Sequence, residues 1–353
     1  MRGRLFGAIA GCLLGVLTAH GQTAVAPELR DQSPQHWRDA KLHIRIAGGR
    51  ANLTFIARYL MEGMQQRLPS DTVWSMYGGM RLATYVNPVT LGKGEVDFAI
   101  ATPYVAGRMA LDGTGDFERA YPSIRAIAVY PQKDWLACAV RADLGVRSFD
   151  EVKARQVPLK IATDSRNTGI GFLTERVLAA YGIDTNQLES WGGGIVATRG
   201  PVRRSVAKML AGEANAVCHE AWKGFRPLVD AVAVRFLPLS DAVLTQLADD
   251  FGYRRTVIPK GLYQPDVPDR DVPVVDFSDW ILLAHSDVSD ELAYLAAKVA
   301  VEDRGLFETL YMGEEPDDRD VDLPLYPERM WKDAGVPLHP GAERYYREVG
   351  LMP

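Results

Sequence analysis

Apolar and polar positions alternate along this chain in two distinct periods. Leu42, Ile44 and Ile46 recur every second residue and predict a strand, which Gly48-Gly49 ends. Leu53, Ile56, Ala57, Leu60, Met61 and Met64 recur at helical spacing. Val73–Tyr77 predicts a second strand stopped by Gly78-Gly79, then a helix from about Met80 interrupted at Pro88, then a strand from Val96 to Ala101. The order repeats later. Leu159–Thr163 reads as a strand and 168–181 as a helix. Leu188–Trp191 is strand-like before Gly192-Gly193-Gly194. Val202, Val206, Met209 and Leu210 mark a helix, and Ala214–Cys218 is a strand. Residues 42–101 and 159–218 both end in Gly-Glu followed by a strand. This echo predicts two similar α/β lobes, each a mostly parallel sheet wrapped by helices.

Two apolar runs, Trp135–Asp143 and Trp280–Asp287, resemble each other and predict paired hinge strands near 136–143 and 278–285. Lobe I is then 41–138 plus 282–353, with a helical part from about Asp287, and lobe II is 143–277. Residues 22–40 read as a polar linker. At the N-terminus Arg2 and Arg4 precede an apolar run, Leu5 to Thr18, and Ala19-His20-Gly21 offers a cleavage site. Residues 1–21 are expected to be a signal peptide, which implies export to the periplasm; a lipid-modified Cys12 is the rival reading. The remaining cysteines, Cys138 and Cys218, lie in strand-like runs. They read either as buried thiols or as a disulfide that an oxidising compartment permits.

The chain has 353 residues, a formal net charge of −5 and 47% hydrophobic residues, which suits a folded two-lobed protein and disfavours nucleic acid as the main partner. In open α/β sheets ligands bind beyond the carboxyl ends of the strands, here in the cleft between the lobes. Residues 159–182 are central to that reading: a strand, a polar turn, then a helix start whose free N–H groups can hold an anion. The competing reading is a self-capped helix, closed by Asp164, Ser165 or Asn167.

Four stretches carry a resemblance: Pro337–Gly350 (PLHPGAERYYREVG), the strand end Arg141-Ala142-Asp143, the run Gly94–Ile100, and the helix Thr174–Ile183. On them the chain resembles the TAXI family, the solute-binding proteins of TRAP-type transporters. The resemblance implies a two-lobed type II periplasmic binding protein fold, a small organic anion as ligand and a TRAP-type membrane permease as partner. It departs from the family in the cleft loops, which read Gly48–Phe55, Tyr77–Met80 and Asn167–Ile170. Candidate ligand-binding residues are Gly49, Arg50, Asn52, Tyr77, Gly79, Thr102, Asn167, Thr168, Gly169, Trp191, Glu220 and Trp222. Arg50 offers a planar fork for a carboxylate. The backbone N–H groups of Thr168 and Gly169 would share it, while Tyr77, Trp191 and Trp222 would enclose the ligand's body.

Catalytic signatures do not complete. His219-Glu220 begins an HExxH pattern that Lys223 breaks, and Asp318, Asp320 and Asp322 lack the glycine and glutamate of a calcium loop. The expectation is a monomer with no cofactor, no metal and no enzymatic activity. The alternatives on the same fold are a ligand sensor docking on a sensor kinase, or an exported enzyme.

Overall fold

A computed structural model describes residues 42–49, 52–78, 84–220, 222–313, 321 and 323–353. The expected signal peptide and linker lie outside them. Two sheets form, each flanked by helices. The first holds β1 (His43–Ala47), β2 (Val73–Tyr77), β3 (Phe98–Ala101), β4 (Ile124–Tyr130) and β12 (Trp280–His285), in the order β2-β1-β3-β12-β4. The second holds β5 (Trp135–Arg141), β6 (Lys160–Asp164), β7 (Gly194–Thr198), β8 (Ala216–His219), β10 (Arg255–Ile258) and β11 (Val272–Asp276). Its order is β10-β11-β5-β8-β6-β7, with β9 (Val234–Phe236) also paired to β5.

The two passes share one topology. In each, the first strand is central, the second lies outside it and the third lies on its other side, all parallel: β2-β1-β3 and β7-β6-β8. Helices α1 (Asn52–Gln65) and α2 (Val86–Gly92) connect the first set, and α3 (Val105–Asp112) follows it. In the second lobe come α4 (Phe149–Ala154), α5 (Gly169–Ala180), α6 (Thr185–Ser190), α7 (Arg203–Leu210), α8 (Arg226–Ala231) and α9 (Asp241–Phe251). After β12, α10 (Asp290–Glu302), α11 (Arg304–Glu308) and α12 (Pro340–Glu348) return to the first sheet, where α10 packs on α1 and α12. No helix among the described residues is long and apolar enough to cross a membrane.

Three sequence expectations are corrected. Leu188–Trp191 is not a strand. It belongs to α6 and its C-cap, because Asp184 and Gln187 form a reciprocal capping box that starts a helix there. Pro88 does not interrupt a helix; it sits in the first turn of α2, where a missing N–H costs little. The hinge strands also do not run between lobes. β5 lies wholly in the second sheet and β12 wholly in the first. The chain crosses at the short segments 131–134 and 277–279, which the Gln132 backbone N–H ties together by donating to Asp279 Oδ1 at 3.2 Å.

Cys138 and Cys218 are neighbours across β5 and β8, and they are disulfide-bonded with Cα atoms 4.1 Å apart. The lobes also share apolar packing. One cluster of buried side chains runs from Tyr104, Met109 and Phe117 of the first lobe to Phe172, Leu244 and Tyr253 of the second.

Candidate functional site

The carboxyl ends of β1, β2 and β3 end in Gly48-Gly49, Tyr77-Gly78 and Thr102. Those of β6, β7 and β8 end in the loops 165–168 and 199–202 and in Glu220. The two sets meet where α5 begins. A Cβ added to Gly169 would stand 2.7 Å from Thr84 Oγ1 and 3.3 Å from Phe277 Cζ, so only glycine lets the lobes approach this closely.

The loop before α5 is largely self-satisfied. Thr168 is its N-cap: its hydroxyl accepts from the Gly171 amide at 3.2 Å and donates to Ser165 O at 2.7 Å. The Thr168 amide also donates to Ser165 O, at 2.9 Å. The self-capped reading is therefore what forms, with Thr168 rather than Asp164, Ser165 or Asn167 as the cap, and the Thr168 N–H is spoken for. Asp164 Oδ1 accepts from the Ser165 and Gly200 amides, at 2.7 and 3.2 Å, tying two loops together. Asn167 is exposed on this loop.

On the opposing lobe, Gly49 lies against Leu53, and its carbonyl accepts from Thr54 Oγ1 at 2.6 Å. Asn52 opens α1, half-buried. Tyr77 ends the edge strand β2 and is exposed. Thr102 has its single donor directed to Asp279 O at 3.3 Å, and its own carbonyl accepts from Thr84 Oγ1 at 2.7 Å, so its hydroxyl serves the hinge. Arg50 and Gly79 lie outside the described residues.

Two of the tryptophans fall elsewhere than expected. Trp191 stands at the amino end of β7, packed on the core at the opposite end of the sheet from the cleft loops. Trp222 does not line open space as a wall; it is buried, its ring 6.1 Å from that of Trp135.

Residues outside the candidate set organise this region. Asn87 is buried at the start of α2, and its amide donates to the carbonyls of Gly48 and Ile100, joining the ends of β1 and β3. Arg254 bonds Asp276 at 2.8 Å and Asp279 at 2.7 Å, and its guanidinium lies 3.6 Å from the centre of the Tyr104 ring. Burial pushes the Asp279 carboxyl up from its usual range, and Arg254 offsets only part of that. His219 closes β8 and is fully buried. Its Nδ1 lies 3.2 Å from Glu220 O and 3.4 Å from Glu220 Oε1. Burial alone would lower its pKa; the Glu220 carboxylate and the Asp164 charge outweigh burial and raise it. A His before a Glu at a strand end was the available signal.

Residues 82–350 match the profile of the NMT1-like family. The chain belongs to that family. Several solved structures share its outline at low identity. MatC from Rhodopseudomonas palustris, with bound malate, is 11% identical over 87% of this chain and 96% of that one, with a TM-score of 0.49. PhnD1 from Prochlorococcus marinus, in complex with methylphosphonate, is 10% identical over 89% and 100%, with a TM-score of 0.46. The alkanesulfonate-binding protein SsuA from Xanthomonas axonopodis pv. citri, bound to MOPS, is 14% identical over 88% and 84%, with a TM-score of 0.38. No curated protein sequence matches this NMT1-like chain.

Proposed function

We propose that this NMT1-like protein is an extracytoplasmic solute-binding protein that holds a small organic anion between its lobes. The observation that carries the reading is the Gly169–Thr84 approach, where loops from the carboxyl ends of both sheets meet across a seam bridged by two short crossings. A solute bonded by both lobes stabilises only the closed arrangement, so binding shifts the population toward it. Gly49, Asn52 and Tyr77 on one lobe, and Gly169 and Glu220 on the other, are the described candidates for contact. The TAXI resemblance supports a TRAP-type permease as the acceptor of the loaded protein.

Thermal unfolding against amino acids, dicarboxylates, keto acids and aromatic acids tests this. A bound acid at one hundred times its Kd adds about 2.7 kcal/mol of stability. A panel in which no acid raises the melting temperature of folded, ligand-free protein overturns the organic-anion assignment.

A further inference from the structure

A cavity of about 320 Å³ opens beside the two crossings, and both lobes line it. Arg329 and Lys332 come from the first lobe and Arg254 and Asp276 from the second, while Gln132, Lys133 and Asp279 come from the crossings themselves. None of its lining residues belongs to the cleft loops. The wall from the first lobe is anchored. Met330 O accepts from the Val129 amide of β4 at 2.7 Å, and the Trp331 indole donates to Leu351 O at 3.0 Å. Arg329 and Lys332 flank those two fixed residues.

The two acids that Arg254 bridges are already satisfied. Asp279 accepts from the Gln132 backbone N–H on Oδ1 and from Arg254 on Oδ2. Asp276 accepts from the Ser278 amide on Oδ1, at 2.9 Å, and from Arg254 on Oδ2. The remaining cations are not engaged in this way. Among the described residues Lys133, Arg329 and Lys332 enter no ion pair, and Lys332 Nζ lies 5.3 Å from the centre of the Trp331 ring. All three are exposed, as is the neighbouring Asp333, which they outnumber. Gln132 is a second and independent observation. It is only 8% exposed and lines the cavity, yet its side-chain amide has no hydrogen-bond partner among the described residues. That amide carries two donor hydrogens, and leaving a buried polar group unmet is costly.

Unengaged donors therefore converge from two segments, 131–133 and 329–332. An anion with acceptor oxygens in several directions meets such a set better than a planar carboxylate, and charge-assisted bonds from arginine and lysine are the strong kind. We propose that this cavity is a second ligand site, which takes a small, multiply charged oxyanion of the phosphate or sulfate type on Gln132, Arg329 and Lys332, with Lys133 adding charge. The site lies against both crossings and is independent of the organic-anion reading of the cleft.

The test is calorimetric titration of the protein with inorganic phosphate and with sulfate at low ionic strength, using chloride at matched ionic strength as the reference. An Arg329→Gln/Lys332→Gln variant is titrated beside it; both side chains are exposed, and circular dichroism checks that the variant folds. In parallel, 15N-labelled wild type reports the side-chain amide signals of Gln132. The expected result is one saturable site for phosphate or sulfate, a shift of the Gln132 side-chain signals, and affinity about tenfold weaker or more in the variant. Binding no greater than that of chloride overturns the proposal, as does equal affinity in wild type and variant, or saturation that leaves the Gln132 signals in place. Where the variant fails to fold, the wild-type titration and spectra decide. An organic acid that displaces phosphate competitively makes the two sites one and overturns the assignment of a second site, while leaving the solute-binding reading standing.

Discussion

Reducing the Cys138–Cys218 disulfide is expected to lower stability by an amount that follows from its place in the chain. The bond closes a loop with a sequence separation of 80. In the chain-entropy treatment, such a loop removes about 15 cal/mol/K from the unfolded ensemble, or about 4.5 kcal/mol at 25 °C. Unfolding about 300 residues together carries an entropy near 0.6 kcal/mol/K, so the melting temperature falls by about 7 °C. If the second lobe melts by itself, with about half as many residues, the drop approaches 15 °C. The assay is thermal unfolding followed by circular dichroism, with and without dithiothreitol, beside a Cys138→Ala/Cys218→Ala variant that serves as the control for the reductant. The wild type responds to reductant and the variant does not. Equal melting of oxidised and reduced wild type, or two free thiols titrated in the folded oxidised protein, refutes the reasoning.

Gly169→Val places a side chain against Thr84 and is expected to strain the closed arrangement by about 1–3 kcal/mol, weakening solute binding roughly 5- to 150-fold by calorimetry; unchanged affinity would remove this contact from closure. Arg254→Met leaves buried Asp279 without its cation. Because Arg254 is itself a third exposed, the expected loss in urea denaturation is about 2–3 kcal/mol, at the low end for a broken buried pair. The raised pKa of His219 means that its contribution to stability is present in full below about pH 6.5 and is lost as pH rises through the higher folded-state value. The stability gap between wild type and His219→Gln is therefore expected to narrow as pH rises above 6.5, and parallel pH curves would contradict the assignment.

The two strand-helix passes were legible because each strand is a short apolar run punctuated by glycine, and both passes assemble in the same 2-1-3 order. Helix α6 was not, because six residues hold too little of a 3.6-residue period, and Leu188 beside Trp191 imitates a strand. The crossings were misplaced for a physical reason. Trp135–Val140 and Trp280–Ala284 are buried along their length, so they are sheet interior, and the short segments before them make the crossing. At the site, glycines that permit close approach could be seen in sequence, Gly169 among them. The contact of the Trp135 and Trp222 rings could not, because it depends on the antiparallel pairing of β5 with β8.

The apolar seam between the lobes gives the cleft a thermal character. Tyr85 lies 5.1 Å from Phe117 and 5.9 Å from Phe172, and Phe172 lies 5.3 Å from Phe251, so opening wets aromatic surface drawn from both lobes. Exposed apolar surface raises heat capacity. Opening therefore behaves as a partial unfolding, with a positive heat-capacity change of its own. Under the proposed function, solute capture acquires a negative one even when every contact to the solute is polar. The open form gains ground on cooling, as hydrophobic association weakens. If the protein closes on a solute as proposed, its readiness to do so is set by temperature as well as by solute.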